Sequence, residues 1–411
     1  MSQKPFSSLR ARVQNACAQN ACVELSFYLG TPLFQAHPGG QSVPVRIYRR
    51  EETEFTFNRD YAEYFDGLSP EKATLLFDGP LNLINHRKAV YRDETVGAGA
   101  TYVYWVAPAD DGVLVGPAAV RVRDAQIWWP QAEIERRLRA LAETYPRQVS
   151  SGRYGQTVRG RSILGLRAGN PRRSVALIGA IHPGESGPEL IIPALERVLR
   201  ERAELLERTG VAILPSVCID EREKLVQGNP WYLRRNYNEV DLNRNFPADW
   251  ETVEYGYGLI TSDPDALTYR GPAPCSEPET RAVIKFIENV GPRCVFSFHC
   301  LASICGPCFL ATRYGADDGE FQKQCEQFAA PYAAGFYNDL PSPGELKLKF
   351  ASSAGGLSNW LYQEGKIPGF DLEWDGEEKS KLSHTDRTTR ELLAEYQDRH
   401  YHALVRLLET I

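Results

Sequence analysis

Between Val23 and Asp124 apolar side chains recur at every second position: Val23, Leu25, Phe27 and Leu29, then Val43, Val45 and Ile47, and again Tyr102, Tyr104 and Val106. A period of two sends alternate side chains to opposite faces, so these segments predict strands with one buried face. The clusters HPGG, DGP and PADDG separate them at the spacing of an antiparallel sandwich. Residues 1–124 are therefore expected to form a small all-β, Ig-like sandwich, with His37 in a turn. The rhythm changes after WWP. Ile134, Leu138, Leu141 and Tyr145 fall at helical spacing within QAEIERRLRALAETYP, which stops against Pro146. From there the short apolar segments VALIGAI, VAILPSV, CVFSF and GFDLEW alternate with helical patterns at 188–208, 277–290, 355–365 and 385–409. Such alternation predicts an α/β domain over 127–411, a mixed central sheet with helices on its faces. Trp128 and Trp129, at the junction, are expected to anchor packing between the two domains.

Composition narrows the class. The 411 residues exceed one ordinary core of roughly 100–200, which agrees with two domains. A content of 43% hydrophobic and 24% charged residues is that of a soluble globular protein, and a net charge of -6 argues against a nucleic-acid partner. The opening MSQKPFSSLRARVQNAC lacks a signal-peptide core, and no stretch approaches the roughly 18 apolar residues of a membrane span. A cytoplasmic location is expected. Nine cysteines, an odd number, cannot all pair within the chain and suit a reducing compartment.

The chemistry concentrates where VALIGAI runs out into HPGES. His182 and Glu185 are separated by two residues at the carboxyl end of a predicted strand, where sites of such sheets gather. A loop turn lets both face one ion, and His299, ending CVFSF, offers a third ligand from another strand. Two His and one carboxylate leave a coordination position open for water, the pattern of a catalytic zinc rather than a structural one. Hydrolysis then needs a carboxylate to move the water's proton. GFDLEWD supplies Glu373, the first candidate, and Asp371, the second. The two share one strand face at period two, so spacing does not separate them. An ionised substrate terminus would require a fixed cation, and Arg234 and Arg244 flank the DLNRNFP segment.

The segments IHPGES, LRRNYNEVDLNRNFP, YRGPAPCSEPET, FSFH, and SSAGGLSNWLY followed by FDLEW occur in one order, preceded by GQTVRGRSI. In that combination the chain resembles the zinc metallocarboxypeptidases of the carboxypeptidase A type (M14-like) over residues 127 to about 400, with the β domain as an addition. The resemblance implies a carboxypeptidase-like fold with one Zn2+ ion held by His182, Glu185 and His299. It further implies that Asp241 orients His182, that Asn243 and Arg244 grip the substrate's C-terminal carboxylate, and that Arg234 stabilises the oxyanion. It assigns the general base and acid to Glu373 rather than Asp371. The specificity position falls at Leu357 to Asn359, with Ser358 the best match. One feature departs from the family: its carboxylate-capping tyrosine is replaced by Phe350 and Ala351, leaving Tyr337 or Lys349 as candidates to close the pocket.

The expected function is that of a cytoplasmic zinc carboxypeptidase acting on peptides with a free C-terminal carboxylate. Alternatives are an amidase on diamino-acid cell-wall peptides or side-chain-linked tails, where Lys347 and Lys349 would suit an acidic substrate, a deacylase of acylated amino acids, and a non-catalytic zinc-binding module. Other signals are weaker. CGPC, with Cys305 and Cys308, is a redox motif only at the start of a helix in a small βαβ domain. Cys300, adjacent to His299, should point away from it. His86, His384, His400 and His402 have no ligand-like spacing, and Arg235 has no assigned role.

Overall fold

A computed structural model of the chain describes residues 4–14, 21–36, 39–52, 68–110, 112–185, 187–230, 233–256, 258–299, 306–338, 346–373 and 388–411. His37, Cys300, Cys305 and His384 lie outside the described residues. The chain divides into two compact units, Met1–Pro130 with Lys224–Tyr232, and Gln131–Glu223 with Leu233–Ile411.

The first unit is built from β1 (Phe6–Gln14), β2 (Cys22–Leu29), β3 (Ser42–Glu52), β4 (Thr74–Ile84), β5 (Lys88–Asp93), β6 (Thr101–Pro108) and β7 (Val115–Arg121), with a short helix α1 (Thr31–Ala36). The strands pair antiparallel in the order β1-β2-β5-β4-β3-β6-β7. Strand β4 belongs to both layers. Thr74–Asn82 runs along β3, whereas Leu83 and Ile84 pair with β5. The sheet thereby folds over on itself, and Val23, Leu25 and Phe27 meet Val43, Val45, Ile47, Tyr102, Tyr104 and Val106 in one core, the positions that the period of two singled out. Asp93 is a buried carboxylate at the end of β5. It accepts from Arg49 Nη1 at 2.8 Å, Tyr104 Oη at 2.9 Å, and the Thr95 N–H and hydroxyl at 3.0 and 2.6 Å. Residues 224–232 join this unit through backbone bonds, Val13 N–H to Gln227 O at 2.9 Å and Arg121 N–H to Gly228 O at 2.8 Å. Arg123 Nη1 donates to Leu225 O and Asn229 O, each at 2.6 Å. The Arg123 guanidinium also stands 5.2 Å from the Trp128 ring centre, and Trp129 Nε1 donates to Gln126 O at 3.1 Å.

The second unit contains an eight-stranded mixed sheet. Its strands are β8 (Val149–Gln156), β9 (Ser162–Ala168), β10 (Ser174–Gly179), β11 (Gly210–Leu214), β14 (Cys294–Phe298), β15 (Cys308–Ala311), β16 (Lys347–Phe350) and β17 (Gly369–Glu373), while β12 (Tyr255–Gly256) and β13 (Leu259–Ile260) form a separate hairpin. The order is β16-β15-β17-β14-β10-β11-β9-β8, with β17, β14, β10 and β11 mutually parallel. Strands β10, β11 and β14 are buried at every residue, as parallel strands covered on both faces must be.

The helices are α2 (Gln131–Thr144), α3 (Pro188–Glu201), α4 (Leu205–Arg208), α5 (Ile219–Val226), α6 (Pro278–Val290), α7 (Gly319–Phe336), α8 (Leu357–Gly365) and α9 (Arg390–Thr410). On one face Ile178, Leu214 and Val295 pack with Phe286 of α6 and Trp360 of α8. On the other, Phe296 and Phe309 pack against Tyr332 of α7, with Phe370 against Phe309, and the Tyr332 hydroxyl lies 2.8 Å from His400 Nδ1 on α9. His400 is therefore a core histidine. Local chemistry sets the helix ends: α6 begins with Pro278 and stops at Gly291 in the left-handed region, and the Asp318 side chain accepts from Phe321 N–H to start α7. The pattern at 188–208 breaks into α3 and α4 around Arg202, whose backbone is non-helical. Among the described residues, no helix is long and apolar enough to cross a membrane.

Candidate active site

Three adjacent parallel strands, β10, β14 and β17, end at the same edge of the sheet. Beyond β10 the chain reaches His182, beyond β14 it reaches His299, and β17 closes with Asp371, Leu372 and Glu373. His299 N–H donates to Leu372 O at 2.9 Å, which fixes the level of this histidine against the third strand. The HPGES loop is tight, with Glu185 N–H donating to His182 O at 3.2 Å. Beneath it Arg222, buried on α5, donates through Nη1 to Glu185 O at 3.0 Å and Pro183 O at 3.3 Å and pairs with Glu189 of α3. Nothing in the local pattern IDEREK marks Arg222, because its partners lie more than thirty positions upstream.

His182 Nδ1 and His299 Nδ1 both lie 2.8 Å from Glu185 Oε2. Ligand atoms of these three buried residues fall within 4.8 Å of one another. Each imidazole is held from behind. His182 Nε2 is 2.9 Å from Asp241 Oδ1, and His299 Nε2 is 2.9 Å from Ser297 Oγ and 3.2 Å from Asp371 Oδ1. An imidazole whose outer N–H is engaged presents its other nitrogen to an ion. Two such nitrogens and one carboxylate oxygen are the donor set of a catalytic zinc, so the residues fit that metal.

Burial disfavours ionised Glu185, but His182 and His299 outweigh it and hold the carboxyl far below its ordinary value. Asp241 behaves likewise, with burial overcome by Arg234, His182 and Arg244. Burial also opposes a charged His299, yet Asp371 and Glu185 raise its pKa well above the usual value.

A run of contacts encircles the cluster, all of them hydrogen bonds except the 3.2 Å approach of Asp371 to His299. Asp241 touches His182, His182 touches Glu185, Glu185 touches His299, His299 faces Asp371, and Asp371 Oδ2 accepts from Asn243 Nδ2 at 3.0 Å. Asn243 N–H then donates to Asp241 Oδ1 at 3.0 Å. Arg234 joins from outside, Nε donating to Asp241 Oδ2 at 2.8 Å. Arg244 Nη1 donates to the Asn243 carbonyl at 2.8 Å, and Asn243 Oδ1 accepts Leu357 N–H, from the first turn of α8, at 2.9 Å.

Ser358 follows Leu357 on α8, its Cα 3.5 Å from where a Cβ at Gly369 would stand. Its buried Oγ has no hydrogen-bond partner among the described residues. Glu373 pairs in register with Cys308 on β15, which pairs in turn with Lys347 on β16, so Lys347 lies level with Glu373 across the intervening strand. Cys308 opens a strand and not a helix, unlike a thioredoxin-type centre.

Of the residues considered for the vacant tyrosine's role, Tyr337 caps α7 with its ring against Phe336, and Lys349 sits on the edge strand in register with Leu310. His86 lies in a turn, its Nδ1 3.2 Å from Gly40 O, and His402 Nε2 is 3.6 Å from Asp398 on the same helix. Arg235 Nη1 donates to Pro264 O at 2.8 Å and Ala266 O at 3.2 Å, which makes it a loop staple.

Residues 134–395 match the zinc carboxypeptidase family. Murein peptide amidase A of Escherichia coli (strain K12) is 32% identical over 149 residues, which span 36% of this chain and 57% of the amidase. Mast cell carboxypeptidase A of Homo sapiens is 31% identical over 169 residues, 36% of this chain and 39% of that protein. The chain thus spans less than two-thirds of the length of these relatives. Among solved structures, bovine thrombin-activatable fibrinolysis inhibitor superposes with a TM-score of 0.57 at 19% identity, covering 69% of this chain and 97% of that one. Carboxypeptidase A from Helicoverpa armigera gives 0.55 at 14% identity, covering 90% and 97%. These two likenesses show the carboxypeptidase-like α/β fold. With the family matched over well more than half of its length and a His-Glu-His cluster at the strand ends, this chain belongs to the zinc carboxypeptidase family.

Proposed function

We propose that the protein is a zinc-dependent metallocarboxypeptidase that hydrolyses the C-terminal amide bond of peptides bearing a free carboxylate. The observation that carries the reading is the path of bonds from Glu185 through His182 and Asp241 to Asn243, with His299 on the same Glu185 oxygen, because it joins a metal-fitting donor set to a group suited to a substrate carboxylate. Zinc held by the three ligands would supply Lewis acidity, acidifying water and polarising the scissile carbonyl. Glu373, at the end of β17, accepts the water's proton and returns it to the departing amine. Arg234, steered by Asp241, offers a fixed positive charge to the oxygen that becomes anionic. Asn243 and Arg244 bind the terminal carboxylate and so set which bond meets Glu373. Ser358, at the start of α8, is the proposed position of contact with the terminal side chain.

Phe350 and Ala351, where the family has its capping tyrosine, also support a second reading, an amidase acting on diamino-acid cell-wall peptides. Similarity to murein peptide amidase A points the same way. The deciding experiment is mass spectrometry of a mixed pool of free-acid peptides, their C-terminal amides, poly-acidic tails and diamino-acid muropeptides. The pool is incubated with zinc-loaded protein and with its Glu373→Gln form. Loss of single C-terminal residues from free-acid peptides is expected. The Gln form should bind zinc yet turn over roughly 10²–10⁴-fold more slowly, the usual worth of a positioned proton carrier. Cleavage confined to muropeptides or branched tails would transfer the function to the second reading, and no cleavage of anything would remove both.

A further inference from the structure

Asp371 competes with Glu373 as a base on spacing alone, but its surroundings give it other work. It lies on β17 with its side chain largely buried, and each carboxylate oxygen faces a different functional residue. Oδ1 stands 3.2 Å from His299 Nε2, which also lies 2.9 Å from Ser297 Oγ, and Oδ2 accepts from Asn243 Nδ2 at 3.0 Å. Asp241 links the other imidazole to the same asparagine through one oxygen: Oδ1 lies 2.9 Å from His182 Nε2 and accepts Asn243 N–H at 3.0 Å. Each of the two imidazoles therefore has a carboxylate behind it, and both carboxylates converge on Asn243.

The orientation of the Asn243 amide follows from this. Leu357 N–H occupies its Oδ1, so Nδ2 must turn toward β17, where Asp371 accepts one of its two hydrogens. The second hydrogen remains available to a substrate oxygen. We infer that Asp371 is a positioning residue that ties the ligand His299 to the carboxylate-binding Asn243, so that one side chain governs both metal affinity and capture of the substrate's C-terminus. The inference rests on the zinc carboxypeptidase reading above.

The test compares Asp371→Asn, Asp371→Glu and Ser297→Ala with the unaltered protein by zinc competition against a chelator, with melting of the metal-free proteins as a control for folding. Asp371→Asn keeps the shape but loses the charge and leaves one acceptor oxygen where Asn243 Nδ2 and His299 Nε2 face two. It is expected to bind zinc roughly 10- to 100-fold more weakly, as loss of a carboxylate behind a ligating imidazole typically does. It should also raise KM for a free-acid peptide more than it lowers kcat. Asp371→Glu, which retains the carboxylate, should recover part of both losses, whereas a merely space-filling role would favour Asn over Glu. Unchanged zinc affinity in the Asn form, or a loss seen only in Ser297→Ala, would overturn the proposal. If the Asn form does not fold, Asp371→Ser is read against the same two outcomes. Failure of the unaltered protein to bind zinc would instead remove the underlying reading.

Discussion

Arg244 is the side chain proposed to meet the substrate's carboxylate. Burial lowers its pKa, and Asp241 acts in the opposite direction. A guanidinium nevertheless stays charged, since its ordinary pKa exceeds about 12. Its Nη1 is held on the Asn243 carbonyl, which leaves the rest of the planar fork for a carboxylate. Arg244→Ala is expected to cost about 2 kcal/mol or more in transition-state binding, roughly a 30-fold fall in kcat/KM for free-acid peptides. Amidated peptides, which lack the charge, should lose little. Steady-state kinetics on matched acid and amide pairs checks this, and equal losses on both would remove Arg244 from the carboxylate site. Glu373 and Asp371 illustrate the limit of reading residues from spacing. Period two places both on one strand face, but only the folded structure shows Asp371 Oδ2 bonded to Asn243 and Oδ1 standing 3.2 Å from His299.

At the scale of elements, the segment before α8 is the clearest case of backbone setting chemistry. Gly355 has φ +70°, and a Cβ there would stand 2.1 Å from Arg244 O. Its N–H donates to Ala248 O at 2.8 Å and its carbonyl accepts Phe246 N–H at 2.9 Å, stitching the glycine turn to the DLNRNFP segment. Gly355→Ala should therefore destabilise the fold by more than the roughly 1 kcal/mol of an unstrained glycine replacement. It should also raise KM, because the turn sets where Leu357 N–H meets Asn243. Thermal melting together with KM for a free-acid peptide tests both parts; a variant with normal KM would uncouple the turn from the site.

Elements such as β10, β14 and α6 were legible because burial on two faces or one helical stripe leaves a regular pattern. Helix α7 was not anticipated, since Pro331 interrupts its sequence. Helix α5 is short, and its key residue Arg222 acts through contacts distant in sequence. The cluster that could hold a metal was legible as a candidate because strand ends announce themselves by an apolar run stopping at His182 or His299. The grouping of residues 224–232 with the first unit left no local trace, because it depends on pairing with Val13, Arg121 and Arg123.

At the scale of the whole molecule, the two units have separate cores, and a charge buried in one offers a handle on that unit. Asp93 is the handle in the sandwich. Burial tends to raise its pKa, but the bonds from Thr95, Arg49 and Tyr104 outweigh this and hold it below the ordinary carboxylate value. The native state therefore binds the proton less readily than the unfolded chain, whose Asp titrates near about 3.9. Stability from this group is fully present above that pH and is lost as pH falls through the unfolded value toward the depressed native one. Asp93→Asn removes the charged acceptor while keeping the side chain's size. It should lower the melting temperature at neutral pH and flatten the acid dependence of melting below about pH 4. Breaking a buried ion pair on one side typically costs about 3–5 kcal/mol, and the exposure of Arg49 to solvent places this pair toward the lower end. Zinc affinity should stay unchanged at temperatures where the variant is folded, because none of the metal-fitting residues belongs to the sandwich. Melting curves across pH 2–7 with chelator competition at neutral pH provide the readout, and a parallel loss of zinc affinity would mean that the sandwich is required to hold the metal site together.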